Sequence, residues 1–182
     1  MFTDIKGKGK KTAVRVALDG ILVALALALS FLEGLLPDVA FLPPGAKLGL
    51  ANVAVMFAVI VVGYADGFLI MFAKSAFVLF TRGLASFIMS SAGGVLSCLA
   101  LIIIVAITRK MNKQFSYMGI SVICAVVHNI GQTAAASIYM STNLMTFYLP
   151  LLIVTGIASG FITGVVLRTV MPAISKIKGL KE

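Results

Sequence analysis

Apolar runs of about twenty residues recur along this chain almost without a break, and that constrains its fold more than any other feature. A helix needs about 20 apolar residues to cross the hydrocarbon core of a bilayer. Six such spans can be read: Val14–Leu36, Ala46–Tyr64, Gly67–Arg82, Leu84–Thr108, Tyr117–Met140 and Phe147–Met171. The runs are continuous rather than alternating, which selects helices over a membrane barrel. The expected fold class is therefore an all-α integral membrane protein, a compact six-helix bundle. Residues 13–172 form the membrane domain, between a basic tail at 1–12 and another at 173–182.

Composition agrees with this reading. Of the 182 residues, 60% are hydrophobic, above the roughly 45–50% of soluble domains. Mean hydropathy is +1.11. The formal charge of +9 invites a nucleic-acid reading. The basic residues sit beside the apolar runs, however, so topology accounts for them and no nucleic-acid partner is expected. The N-terminal "KGKGKK" followed by "ALALALS" has some marks of a signal peptide, but the apolar run continues through "FLEGLL" and is read as a retained first span.

Lysines and arginines set the orientation. They gather in the N-terminal tail (Lys6, Lys8, Lys10, Lys11, Arg15), the link after the fourth span (Arg109, Lys110, Lys113) and the C-terminal end (Arg168, Lys176, Lys178, Lys181). With six spans these three segments share one side, the cytoplasm, so both termini are expected inside. Glu33 and Asp38 fall on the outer side.

Lys47, Lys74 and Arg82 are not explained by this topology. A charge within the membrane costs about 2.5–3.5 kcal/mol or more, so it normally faces a cavity or a partner. Lys74 interrupts the third span and is read as part of a site or ion pair, with snorkelling to an interface as the competing reading. Lys74 and Arg82 are eight residues apart and share a broad helix face. Lys47 follows the Pro- and Gly-rich "LPDVAFLPPG", expected to be an outer loop that dips back into the protein. Asn52 is either a cap, an interhelical bond or a site residue.

A polar stripe marks the fifth span. In "VVHNIGQ", His128 and Gln132 are four apart and stack on one face, continued by Ser121 and Tyr139, while Asn129 sits about 100° round. Interhelical hydrogen bonding is the ordinary explanation for one such group. Three in five residues point to a binding cavity. Small residues give a second pattern. Gly20, Ala24 and Ala28 are four apart on the first span, and Gly156, Gly160 and Gly164 on the sixth. Such faces admit close helix packing, and the first is also a candidate docking face.

Several chemistries lack their residues. There is no Walker A motif. The six acids are scattered and include no paired aspartates for a magnesium-held diphosphate. One histidine and two cysteines, Cys98 and Cys124, without ligand spacing make no metal site. Cys124 shares a face with His128, but no acid is at hand to orient the histidine. No catalytic residues, metal or cofactor are expected.

Lys47 with "KLGLAN", "SSAGGVLS" in the fourth span and "GISVICAVVHNIGQ" in the fifth together resemble the Gx transporter family, over about Leu42 to Arg168. Members are often labelled heptaprenyl diphosphate synthase component I, and the family is similar to the substrate-binding S components of energy-coupling-factor (ECF) transporters. The resemblance implies a six-helix S-component fold in a bacterial cytoplasmic membrane and a site open to the outside. It also implies a coupling membrane subunit and two cytoplasmic ATPases as partners, with ATP hydrolysis confined to the latter. S components typically dock through an AxxxA face on the first helix, which Ala24 and Ala28 match and Gly20 extends. The family's lysine and asparagine map to Lys47 and Asn52, and its "HN..Q" to His128, Asn129 and Gln132.

The expected function is thus a substrate-binding subunit of an importer for a small anionic or polar-headed molecule. Lys47, Lys74 and Arg82 would supply positive charge, His128, Asn129 and Gln132 hydrogen bonds, and Phe77 and Tyr139 apolar cover. Two other readings stand: a membrane component tied to isoprenoid or quinone synthesis, and an accessory protein in flavin-linked extracellular electron transfer.

Overall fold

A computed structural model describes residues 10–35, 47, 49–111 and 116–174. The basic tails, the "LPDVAFLPPG" segment with Asp38, and Lys113 lie outside the described residues apart from the tail ends that begin the first helix and close the last. Helix α1 is Lys10–Leu35, α2 is Asn52–Phe57, α3 is Tyr64–Met111, α4 is Tyr117–Tyr139 and α5 is Leu144–Ile174.

The expected all-helical membrane fold is present. Among the described residues four helices are long and apolar enough to cross a bilayer, within Ala13–Leu35, Tyr64–Thr108, Tyr117–Tyr139 and Tyr148–Pro172. Their outer faces carry large apolar side chains such as Phe80, 86% exposed, and Ile138, 81% exposed. Faces of this kind need lipid or protein against them.

The 48-residue α3 is not one rod. Gly83 has φ 84° and ψ −179°, and the chain reverses there. Ser75 Oγ and Ser90 Oγ are 3.5 Å apart, whereas fifteen residues of straight helix would separate them by about 22 Å. A Cβ on Gly94 would stand 2.9 Å from Met71 Cγ, so the pairing continues down both limbs. The limbs 64–82 and 84–111 correspond to the third and fourth spans read from sequence.

The second span is shorter than expected. Regular helix begins only at Asn52, and a π-helical turn, Ala58–Val62, carries the chain to Gly63. The eleven residues Asn52–Val62 rise about 16 Å, half a bilayer core. Lys47 and Gly49–Ala51 enter instead as a non-helical segment. The residues from Val53 to Ile60 are all buried, so this half-length element forms the centre of the bundle.

Glycines bring the remaining helices together. A Cβ on Gly156, Gly160 or Gly164 of α5 would fall within 3.0 Å of atoms of Val126, Val122 or Met118 on α4. The partners run backwards as the glycines run forwards, so the helices are antiparallel and meet backbone to backbone. Gly131 meets Gly93 in the same way, seating α4 on the second limb of α3. These are packing faces, as small-residue motifs in membranes generally are.

At the other end of α1, Arg15 donates to both carboxylate oxygens of Asp66 at 2.7–3.0 Å. Asp66 lies in the first turn of α3, where the helix dipole also favours a carboxylate.

Candidate functional site

The site is organised around the segment that precedes α2. A non-helical backbone inside an apolar bundle must find hydrogen-bond partners, because no lipid can supply them. Two helices supply them here, and a third holds the side chain that opens α2. From α4, the Gln132 side chain bonds both sides of Lys47: its Oε1 accepts from Lys47 N–H and its Nε2 donates to Lys47 C=O, each at 3.2 Å. From α1, Glu33 accepts from Leu50 N–H. From the first limb of α3, Lys74 Nζ donates to Asn52 Oδ1 at 2.6 Å. The backbone then turns into α2 through Asn52 N–H on Gly49 C=O at 2.9 Å.

Charged groups converge on the same place. Lys74 is 4% exposed and Glu33 5%. Arg82 donates to the carbonyl of Ser30, one turn before Glu33, and its guanidinium lies against Gly34, where a Cβ would stand 3.1 Å from Nε. A narrow polar cavity results, lined by Ser30, Glu33, Lys47, Lys74, Arg82, His128 and Gln132 among others. Three cationic side chains face one carboxylate.

His128 forms part of the wall and is 3% exposed. Its ring is held between two glycines. A Cβ on Gly49 would stand 3.1 Å from Cδ2, and one on Gly93 would stand 2.9 Å from Nδ1. Nδ1 is turned toward the Gly93 backbone without reaching hydrogen-bond geometry. Gly49 also has φ +81°, a conformation that favours glycine.

Of the residues singled out from sequence, Lys47, Lys74, Arg82, His128 and Gln132 line this one cavity, and Asn52 adjoins it through Lys74. Asn129 faces elsewhere. Its Nδ2 donates to Leu152 C=O at 3.2 Å and to Thr155 Oγ1 at 3.3 Å, joining α4 to α5. Tyr139 is half exposed at the end of α4, outside the lining. Phe77 is half-buried on the first limb of α3 and outside the lining too. Gly20, Ala24 and Ala28 lie along an exposed face of α1, and nothing stands within 4 Å of a Cβ on Gly20.

Glu33 is the site residue that sequence reasoning missed. The sequence places it with Asp38 on the outer side, and it is buried in the last turn of α1. The signal was available: an acid inside "SFLEGLL" needs a partner for the same reason as Lys74 does.

Among curated protein sequences no relative matches this chain. A solved structure reported as "Structure and mechanism of the S component of a bacterial ECF transporter" is similar over 91% of this chain and 95% of that one. The TM-score is 0.52 at 21% identity, a likeness of fold. The family model described as heptaprenyl diphosphate synthase component I matches residues 22–170, or 149 of 182 residues, and the chain belongs to that family.

Proposed function

We propose that this membrane protein is the substrate-binding S component of an ECF-type importer, and that it takes a small molecule with an anionic or polar head. The observation that carries this is the buried cavity where Lys47, Lys74, Arg82, His128 and Gln132 meet, in a chain with the fold of an S component. Cations and hydrogen-bonding groups are costly in a membrane bundle, and one polar cavity that gathers them is how such proteins hold polar ligands.

In this reading the chain crosses a bacterial cytoplasmic membrane six times, with Asn52–Val62 and its preceding segment making up the second crossing. Both termini are cytoplasmic, as the lysine and arginine distribution favours. The cavity then lies toward the outer side. The exposed Gly20, Ala24 and Ala28 face of α1 docks on the coupling membrane subunit, and two cytoplasmic ATPases drive the cycle. Residues 1–12 and 173–182 are basic tails on the cytoplasmic surface.

The family's label offers an enzymatic alternative in isoprenoid synthesis. It is the weaker one, because prenyl elongation needs carboxylate-held magnesium and the six acids of this chain are scattered. Alanine variants test the site. In Lys74→Ala and His128→Ala, a small molecule that co-purifies with the wild-type protein is expected to be lost while the protein still elutes as a folded species at the wild-type volume. Retention of that molecule in both variants would remove the site assignment.

A further inference from the structure

Most polar groups in the cavity wall are already engaged. Gln132 spends both ends of its amide on Lys47. Arg82 donates to Ser30, and Lys47 and Arg82 both have partners within the protein. Ser90 Oγ pairs with Ser75 Oγ at 3.5 Å. Glu33 takes the backbone N–H groups of Gly49 and Leu50.

Among the described residues, three groups of the wall are left over. Lys74 Nζ gives one hydrogen to Asn52 Oδ1, and an ammonium has three to give. Ser86, 9% exposed on the second limb of α3, makes no hydrogen bond. His128 Nε2 makes none either. Its other nitrogen, Nδ1, is turned toward the Gly93 backbone, where the mid-helix N–H is spent and the carbonyl keeps a lone pair. That places the ring proton on Nδ1 and leaves Nε2 an acceptor. Buried donors with nothing to donate to are costly, and lipid cannot relieve them.

We infer that Lys74, Ser86 and His128 form the subsite for a small hydroxycarboxylic acid. Its carboxylate accepts from Lys74 Nζ and Ser86 Oγ, and its hydroxyl donates to His128 Nε2. This rests on the binding-subunit reading and narrows its substrate class, with Ser86 as a specificity-determining residue. The donor count selects carboxylate over phosphate. Two N–H and one O–H serve the two oxygens of a carboxylate, whereas a phosphate brings a further oxygen and a second charge to a single ammonium. The single acceptor selects a hydroxyl over an ammonium, which would bring three hydrogens and share a narrow cavity with the like charge of Lys74.

The test uses the full chain in phosphatidylcholine nanodiscs. Lactate, propionate, alanine and inorganic phosphate are the probes, with dissociation constants read by ligand-observed NMR. Lactate and propionate differ by one hydroxyl, so the wild type alone tests the contact to His128. Lactate is expected to bind about fivefold more tightly than propionate, the worth of one hydrogen bond. It is also expected to bind more tightly than alanine or phosphate. Ser86→Ala is expected to weaken lactate and propionate alike, by about fivefold, and to leave their ratio unchanged.

Equal affinities for lactate and propionate in the wild type would overturn the hydroxyl contact. Tighter binding of alanine or of phosphate than of lactate would overturn the hydroxycarboxylic acid and leave the cavity as a site for a zwitterion or a dianion. Unchanged affinities in Ser86→Ala would overturn the role of Ser86. If no probe binds while a co-purifying molecule is still lost in Lys74→Ala, this inference falls and the binding-subunit reading stands. If no probe binds and no such molecule exists, both fall.

Discussion

Gly160 and Gly20 are both glycines in four-spaced rows on apolar helices, yet their surroundings differ. A Cβ on Gly160 would stand 2.5 Å from Val122 Cα and 3.0 Å from Ser121 O, backbone atoms that cannot step aside. Gly160→Ala is expected to destabilise the protein by about 1–3 kcal/mol, the usual cost of overpacking. Gly20→Ala meets open space and should be neutral, or stabilising by up to about 1 kcal/mol through helix propensity. Thermal unfolding of both variants in one detergent separates the two. Asn129 and His128 contrast in the same way. Asn129→Ala loses an interhelical bond worth about 0.6 kcal/mol and should keep the ligand, whereas His128→Ala should lose it. Much of the cavity was legible at this scale, because Lys47, Lys74 and Arg82 were the basic residues that topology left over. The pattern that put His128 and Gln132 on one face turned Asn129 away, but it could not say toward what. Glu33 escaped because an acid near the end of an apolar run reads equally as a loop residue.

The reversal of α3 is legible in the sequence, where the third expected span ends at Arg82 and the fourth begins at Leu84, on either side of Gly83. Thr81 and Arg82 break the apolar run just before it, and Gly83 accepts φ 84° with ψ −179°, a region open essentially to glycine. Nothing stands within 4 Å of a Cβ there. Gly83→Ala should therefore cost about 1–3 kcal/mol from backbone conformation alone, visible as a lowered melting temperature without loss of a contact. The short α2 is less legible than the expected span Ala46–Tyr64 suggests, since "KLGLAN" is apolar enough to pass for helix while its backbone is held by Gln132 and Glu33. The bond from Arg15 to Asp66, 51 residues on, has no local signature in the sequence. Asp66→Asn should loosen α1 and lower the melting temperature, and a double-mutant cycle with Arg15→Gln should show the two effects to be less than additive.

At the scale of the molecule, α1 is fastened by polar contacts near both ends and packs Leu22 and Ala26 into the core between them. Arg15 ties its start to α3, while Ser30 and Glu33 tie its end to Arg82 and to the segment before α2. The exposed small-residue face lies between these ties. The helix that docks a coupling subunit would thus also carry a wall of the cavity, which gives substrate and partner a common element to act on. Ala24→Leu or Ala28→Leu is expected to block assembly through steric bulk while sparing ligand binding, and co-purification of the other subunits with both variants would put the docking face elsewhere.

The most direct measurement is native mass spectrometry of the protein purified gently from its own host, without delipidation, beside its His128→Ala variant. The account predicts a specific small molecule on the wild type, absent from the variant, with coupling and ATPase subunits retained on both. An empty wild-type protein bound instead to a prenyl synthase or a redox partner would contradict it, and would leave the polar groups of "VVHNIGQ" with a packing role alone.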